Sequence, residues 1–285
     1  MRTSETATAP WSSEEARSES TGASRARRLG SESQVIDLHA HILPGVDDGA
    51  RTLDDAIGMA RAAVAGGVRI AAATPHVRDD YPTSAATMER RLSELRAALR
   101  EAGVPLDVRA GGEIALDHLG RLSPEELARF GLGGNPRYVL VEFAYYGWPL
   151  PLETHVRELG ARGVTAVIAH PERNAEVQAD PERLRPIVDA GALVQVTAAS
   201  IDGRLGKRCR AAGLHLIEHG MVHLIASDAH APEIRGIGMS AAAAAFEDEA
   251  LARWLTEGVP GAIVAGEPLP PRPTGRRRPP RRLRR

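Results

Sequence analysis

An Asp-x-His-x-His motif occupies residues 37–41, inside the first strongly apolar segment of the chain. His39 and His41 are two residues apart, so in an extended strand their side chains point to the same side and can bind one cation together. Asp228 and His230 have the same spacing much later in the chain. Because imidazole and carboxylate ligands suit zinc, manganese and iron, these two pairs predict a transition-metal site.

Further histidines and carboxylates stand at the ends of other apolar runs and could complete this site. The candidate ligands together are His39, His41, Asp48, His76, Glu113, His170, Asp228 and His230. They are too many for one tetrahedral site, which predicts two or three divalent ions with Glu113 as a bridging ligand. Paired metal ions about 3.5 to 4 Å apart stabilise both the attacking and the leaving oxygen of a phosphoryl displacement, so hydrolysis of a phosphate ester is the predicted chemistry.

Arg173 lies three residues after His170 and is the candidate phosphate-binding residue, because a planar guanidinium group can donate two hydrogen bonds to phosphate oxygens. Other mechanisms lack their residues. A cysteine phosphatase needs an arginine six positions after its thiolate, but the residue six positions after Cys209 is His215. The chain also contains no Gly-x-Ser-x-Gly elbow, no Gly-x-Gly-x-x-Gly motif and no P-loop.

Seven short apolar runs alternate with segments of helical periodicity, and the candidate ligands follow the runs at their carboxyl ends. The predicted strands are residues 35–38, 68–73, 108–111, 138–143, 165–169, 193–196 and 222–226. The predicted helices are residues 53–65, 88–99, 151–162, 181–189, 203–213 and 241–255. This alternation favours an α/β fold with a parallel sheet. A closed barrel gathers the carboxyl ends of all its strands into one site, so the placement of the ligands favours a barrel over an open sheet.

One domain is predicted at residues 34–267, flanked by segments whose composition predicts disorder at residues 1–33 and 268–285. The Pro- and Arg-rich second segment could make a weak contact with an acidic surface. The formal net charge of −1 gives no support for specific nucleic-acid binding. No apolar run has the length of a membrane span or the character of a signal peptide, and the single cysteine excludes an internal disulfide. We therefore expect a cytoplasmic location.

The segment DLHAHILPGVDDG at residues 37–49 resembles the first motif of the PHP superfamily (polymerase and histidinol phosphatase). More narrowly, it resembles the bacterial manganese-dependent protein-tyrosine phosphatases of capsule and exopolysaccharide synthesis. Matching segments follow in the order of that family: ATPH at 73–76, GEI at 112–114, HPER at 170–173 and ASDAH at 226–230. The resemblance covers residues 35–265 and leaves out both ends of the chain.

The resemblance implies a distorted (β/α)7 TIM-like barrel with a trinuclear metal centre, usually of manganese, with iron and zinc as alternatives. It assigns the ligands to three ions: His39, His41, Glu113 and Asp228; Glu113 and His170; and His76, His230 and Asp48. Arg173 would bind the phosphate, and Asp48 would also act near the nucleophile or the leaving oxygen. The family often has Thr-Pro-His-His, and here the last position is Val77.

The function implied is that of a protein-tyrosine phosphatase whose partner is an autophosphorylated tyrosine kinase of polysaccharide export. Two alternatives stay open, a small-molecule phosphatase such as histidinol phosphatase and a non-catalytic, metal-stabilised scaffold. Tyr145, Tyr146 and Trp148 could form a wall for a phenyl ring, or they could pack beneath a loop. The remaining histidines are interpreted as incidental: His118, His155, His215, His219 and His223.

Overall fold

Strands and helices alternate along the chain, as the apolar pattern predicts. A computed structural model describes residues 34–230 and 238–274. The strands are Val35–Ala40 (β1), Val68–Ala73 (β2), His76–Arg78 (β3), Tyr81–Pro82 (β4), Asp107–Arg109 (β5), Glu113–Ala115 (β6), Tyr138–Glu142 (β7), Thr165–Ala169 (β8), Leu193–Thr197 (β9) and Leu224–Ala226 (β10).

The helices lie between these strands along the chain. The α-helices are Leu53–Ala65 (α1), Ala85–Glu101 (α2), Pro124–Arg129 (α3), Leu152–Ala161 (α4), Ala175–Ala179 (α5), Arg185–Asp189 (α6), Ala198–Ile201 (α7), Lys207–Glu218 (α8), Met239–Ala244 (α9), Glu249–Arg253 (α10) and Val259–Ala265 (α11). Shorter 3-10 turns lie at Leu116–Arg121, Pro171–Arg173 and Pro181–Leu184, and a π-helical turn lies at Trp254–Gly258.

The strands form two sheets, and at two places the chain runs directly from a strand of one sheet into a strand of the other. One sheet has the order β1-β2-β5 and the other has the order β10-β9-β8-β7-β6-β3-β4. Neighbouring strands are parallel, except for β3 and β4. The chain passes from β2 into β3 across Thr74 and Pro75, and from β5 into β6 across residues 110–112. Pro75 has no N–H to donate, so the first ladder stops there and the second begins.

Hydrogen bonds between the ends of β1 and β10 join the two sheets again. The His41 N–H donates to Ala229 O at 2.8 Å, and the Asp228 N–H donates to His39 O at 2.8 Å. Ala40 and Ala229 form a parallel bridge at the same place. With β2–β3 and β5–β6 each taken as one interrupted strand, seven parallel strands follow one another around a distorted, barrel-like ring. The predicted α/β fold with parallel strands is confirmed.

Apolar side chains make up most of the core, and their tight packing explains why residue 112 is a glycine. Strand β1 is buried along its whole length, as expected for a strand covered on both sides. At the passage from β5 to β6, a Cβ on Gly112 would lie 2.5 Å from Cδ1 of the buried Phe130. A side chain at this position would displace Phe130, so glycine is what allows Phe130 to pack this close to the backbone.

The structure corrects several predicted boundaries. The predicted helix at 203–213 begins only at Lys207 and runs on to Glu218, because Gly203 and Gly206, both with φ of 92°, form a loop before it. The predicted helix at 241–255 is divided into α9, α10 and the π-helical turn. The apolar pattern also missed the short strands β3, β4 and β6.

The segment after α11 packs against the domain. Trp254 Nε1 donates to Pro270 O at 2.9 Å. Arg272 donates through Nη1 to Val222 O at 2.9 Å and through Nη2 to Ile217 O at 2.7 Å. Part of the segment predicted to be a disordered tail is therefore in contact with the ring.

The ends of the chain are described only in part. Residues 1–33 and the predicted tail from residue 275 onward lie outside the described residues. Across residues 34–230 and 238–274, every helix is too short or too polar to span a membrane.

Candidate metal centre

The carboxyl ends of the strands bring all the predicted ligands to one side of the ring. The predicted ligands lie in β1 and the loop after it (His39, His41, Asp48), at the starts of β3 and β6 (His76, Glu113), after β8 (His170) and after β10 (Asp228, His230). The register places His76 directly beside Glu113 on the neighbouring strand. All of these side chains are buried except Asp48.

Glu113 lies at the centre of the cluster. Its Oε2 atom is 3.3 Å from His39 Nε2, 3.2 Å from His41 Nε2 and 3.0 Å from His76 Nδ1. Its Oε1 atom is 2.7 Å from His170 Nε2. Oε2 is buried, and no group in the described residues forms a hydrogen bond with it. A carboxylate that faces four imidazoles with its two oxygens has the arrangement of a bridging ligand.

Two other carboxylates face these histidines from the sides. Asp228 Oδ1 lies 3.5 Å from His39 Nε2. Asp48 Oδ1 lies 3.4 Å from His76 Nε2 and 3.3 Å from His230 Nε2. Since the Asp48 side chain is 40% exposed, it is the member of the cluster that meets solvent.

Overlapping groups of side chains in this cluster present ligand atoms that lie within 4.8 Å of one another. These groups include His41, Asp48, His76 and His230; His39, His41 and Glu113; His39, His170 and Asp228; and His76, Glu113 and Glu142. Shared members are expected where neighbouring ions are bridged. Buried imidazole and carboxylate donors around a carboxylate oxygen without a hydrogen-bond partner therefore fit two or three divalent ions.

The carboxylates make the cluster attractive to positive charge. Burial alone would lower the pKa of His41, but Asp47 and Glu113 raise it to about 9. Burial also opposes protonation of His76, yet Asp48 and Glu113 raise its pKa to about 12. The balance of charge therefore favours cations among these histidines.

Two polar side chains orient the histidines of β1. Gln195 Oε1 lies 3.0 Å from His39 Nδ1, and Asp47 Oδ2 lies 2.7 Å from His41 Nδ1. Each contact fixes the proton on Nδ1 and leaves Nε2 for a metal, the usual arrangement of metal-binding histidines. Neither Asp47 nor Gln195 is among the predicted site residues. A polar residue inside the buried strand β9 is the signal that points to Gln195.

Glu142, at the end of β7, is a further ligand candidate that is not among the eight predicted ligands. Its Oε1 atom lies 3.1 Å from His76 Nδ1 and accepts a hydrogen bond of 3.2 Å from Arg78 Nη1. Its place at a strand end, like that of the predicted ligands, is the signal for it. Val77 is buried in β3, and His76 beside it reaches the cluster, so the valine removes no member of the group.

Arg173 lies beside the cluster, in the 3-10 turn after β8. Its Nη1 donates to Asp228 Oδ2 at 2.7 Å, and its guanidinium carbon lies 4.4 Å from the centre of the Tyr145 ring. Asp228 itself and His170, three residues before Arg173, have positive φ values of 51° and 32°. Such backbone strain in non-glycine residues is typical of functional sites. The other N–H groups of the guanidinium can donate to a phosphate.

A cavity of about 610 Å³ adjoins the cluster. Glu142 and Arg78 form the wall next to the candidate ligands, and Phe143, Tyr145 and Tyr146 line an aromatic side. This volume is within the usual range of small-molecule sites. The cavity can therefore take an aromatic group, and Tyr145, which lines it, also contacts Arg173.

The fold and the cluster define a metal-dependent hydrolase of the α/β class, with its candidate centre at the carboxyl ends of parallel strands. Residues 35–254 match the family described as "Capsular polysaccharide synthesis, CpsB/CapC". The chain belongs to this family.

Named relatives cover most of the chain. YwqE of Bacillus subtilis (strain 168), named a tyrosine-protein phosphatase, is 36% identical over 252 residues, which are 86% of this chain and 98% of that protein. CpsB of Streptococcus pneumoniae, also named a tyrosine-protein phosphatase, is 27% identical over 204 residues, 69% of this chain and 83% of that protein. A solved structure from a study of these two proteins, described there as unique metal-dependent tyrosine phosphatases, is also similar to this chain. The two structures superpose with a TM-score of 0.76, and their sequences are 33% identical. That match covers 85% of this chain and 100% of the other.

Proposed function

We propose that this protein is a cytoplasmic, manganese-dependent protein-tyrosine phosphatase that acts on an autophosphorylated tyrosine kinase of polysaccharide export. The observation that carries the proposal is that Arg173 contacts both Asp228 of the candidate metal centre and Tyr145, which lines the aromatic cavity. The names of the relatives support the same activity.

Each part of a phosphotyrosine meets a matching group. Bound divalent ions would activate water and neutralise the phosphoryl oxygens. Arg173, held by Asp228, would donate to the remaining phosphoryl oxygens and so orient the ester. The ring of Tyr145, packed on the guanidinium, keeps Arg173 in place and leads into the cavity where the phenyl group would lie.

Asp48 would act as an ionised carboxylate. Partial burial opposes its ionisation, but hydrogen bonds with His230 and His76 hold the pKa of Asp48 well below its usual value. Such a group can bind a cation, but it is a weak base and cannot donate a proton to the leaving oxygen near neutral pH. A phenolate leaves readily, so the reaction has little need of a strong general acid.

The first test compares phosphate release by the manganese-loaded full chain from a phosphotyrosine peptide and from histidinol phosphate at matched concentrations. We expect a strong preference for the peptide that a chelator abolishes and added Mn²⁺ restores. A preference for histidinol phosphate would agree with the proposed metal centre but contradict phosphotyrosine as the substrate. Metal binding without release from either ester would favour the scaffold alternative.

The kinase assignment has its own test. When the chain is co-expressed with a polysaccharide-export tyrosine kinase, phosphotyrosine on the kinase should fall, and an Arg173→Ala variant should leave it unchanged. Persistent phosphotyrosine with an enzyme that is active on peptides would point to a different protein substrate.

A further inference from the structure

A second group of metal-binding side chains lies on the outer surface of the domain. It consists of Glu182, His215 and His219, each of which offers a ligand atom within 4.8 Å of the others. Glu182 and His219 are exposed and His215 is partly exposed, so an ion can enter from solvent. Helix α8 ends here and leads into the start of β10, so the group lies at the end of the ring opposite the candidate metal centre.

We propose that Glu182, His215 and His219 form a separate binding site for a transition-metal ion, with Zn²⁺ as the preferred ion. His215 and His219 are four residues apart at the end of α8 and therefore share one face of the helix. Their rings stack at 3.9 Å with an angle of 17° between the planes. Glu182, in the turn Pro181–Leu184, brings its Oε1 atom to 3.1 Å from His215 Nε2.

The hydrogen bonding of His219 prepares it as a ligand. Its Nδ1 lies 2.9 Å from the carbonyl oxygen of His215, which can only accept. Nδ1 must therefore carry the proton, and Nε2 keeps its lone pair for a metal. Metal-binding histidines commonly donate their second N–H to a backbone carbonyl in this way.

Two neighbouring features act on a bound cation in opposite directions. The carbonyl end of a helix attracts positive charge, and α8 ends at this group. Arg185 opposes binding, since its Nη2 lies 3.4 Å from Glu182 Oε2 and 3.1 Å from His219 O. It contacts the second carboxylate oxygen, however, and so leaves Oε1 directed at His215.

The ligand set distinguishes the expected ion. Two imidazoles and one carboxylate suit Zn²⁺, whereas Mg²⁺ and Ca²⁺ prefer oxygen ligands alone. Residues 215–219 read His-x-x-Glu-His, an order that also occurs in a class of zinc enzymes. Glu218 is exposed at the end of the helix, so we infer a binding site and assign no reaction to it. A bound ion would connect α8 to the turn Pro181–Leu184. The interpretation of His215 and His219 as incidental is replaced by this proposal.

The test uses the full chain without an affinity tag, loaded with Mn²⁺ and equilibrated with buffered Zn²⁺. Zinc and manganese per chain are then measured by mass spectrometry after gel filtration. We expect the parent protein to hold one Zn²⁺ more than a His215→Asn, His219→Asn double variant. Glu182→Gln should weaken this zinc binding about tenfold or more. His155→Asn, a histidine on α4, is the matched control and should bind zinc like the parent.

Phosphate release in the absence of zinc should be the same for the parent, the double variant and Glu182→Gln, because the group lies at the end of the ring opposite the candidate catalytic cluster. If the double variant is less stable without zinc, Glu182→Gln alone decides the question. Equal zinc content and affinity in the parent and in Glu182→Gln, or in the parent and a stably folded double variant, would overturn the proposal.

Discussion

Arg173 Nη1 donates a hydrogen bond of 2.7 Å to Asp228 Oδ2. The other oxygen of the same carboxylate lies 3.5 Å from His39 Nε2. The candidate phosphate-binding residue and a candidate metal ligand are therefore directly connected, and a change in one can disturb the other. Any variant of Arg173 must accordingly be examined for its metal content as well as for its rate.

Replacing Arg173 with lysine keeps a positive charge beside Asp228 but removes the planar pair of donors. We expect kcat/KM for an aryl phosphate to fall about 100-fold, because a donor to the charge that develops in the transition state is lost. Bound metal should stay near the level of the parent. Arg157→Lys is a suitable control, since Arg157 is 63% exposed and pairs with Glu153 on α4. An unchanged kcat/KM would remove Arg173 from the phosphate site.

Replacing Glu142 with glutamine tests whether this residue, which is outside the predicted ligand set, belongs to the metal centre. The amide keeps the size of the side chain but loses the charge beside His76. We expect Mn²⁺ to bind about 10- to 100-fold more weakly and activity to fall at limiting metal. Asp80→Asn is the control, because Asp80 is the second partner of Arg78 at 2.8 Å and is 66% exposed. If both variants bind metal equally weakly, the loss comes from a displaced Arg78, which both carboxylates hold, and Glu142 is not itself a ligand.

Gly49 ends the motif that carries Asp47 and Asp48, and its backbone lies directly against His41. A Cβ at this position would lie 2.1 Å from His41 O and 2.4 Å from His41 Cβ. Gly49→Ala must therefore shift the loop, and we expect it to cost about 1–3 kcal/mol of stability. Activity should fall as well, and excess metal should not restore it. In Gly120→Ala the added Cβ meets nothing within 4 Å, so thermal unfolding of that variant should match the parent.

The sequence could predict most of the fold because a buried parallel strand is a continuous apolar run, and seven such runs alternate with helices. The short strands β3 and β6 escaped this pattern. Each has only three residues, and each begins with a polar ligand candidate, His76 or Glu113. Their strand geometry depends on pairing with neighbouring strands, which a local pattern does not contain.

The candidate site was predictable in its residue types and less so in its contacts. The spacing of His39 and His41 follows from strand geometry alone. The contact of His39 with Gln195 joins residues 156 positions apart, and it exists only because the ring brings β1 near β9. The second group of Glu182, His215 and His219 was missed for the same reason, since Glu182 comes from a different turn of the chain.

Two shortened chains should behave differently. A chain that ends after Gly266 loses the hydrogen bonds of Arg272 to Val222 O and Ile217 O and leaves Trp254 Nε1 without Pro270 O. Each hydrogen bond that is lost contributes about 0.5–1.5 kcal/mol to stability, so thermal unfolding should occur at a clearly lower temperature. A chain that ends after residue 274 keeps these contacts and should unfold and turn over phosphopeptide like the parent. Equal unfolding temperatures for both chains would show that the segment adds nothing to stability.

The pH dependence of stability should include a contribution from His223. Burial, together with the charge of Arg272, lowers the pKa of His223 to about 4. The neutral ring also accepts the Val194 N–H at Nδ1, at 3.1 Å. In the unfolded chain the pKa is about 6.5, so between these two values the unfolded chain binds a proton that the folded chain excludes. Stability must therefore fall as the pH decreases from about 6.5 towards 4, by up to about 3 kcal/mol.

The measurement compares the free energy of unfolding of the parent with that of His223→Gln from pH 4 to pH 8 at equal metal loading. Glutamine can still accept the Val194 N–H but does not titrate, so the difference at each pH removes the contribution of the metal centre. We expect the free energy of unfolding of the variant, relative to that of the parent, to rise steadily as the pH falls below about 6.5, the pKa of histidine in the unfolded chain. Two curves that stay parallel over this range would show that His223 takes up its proton equally well in the folded chain, and that its burial has no energetic effect.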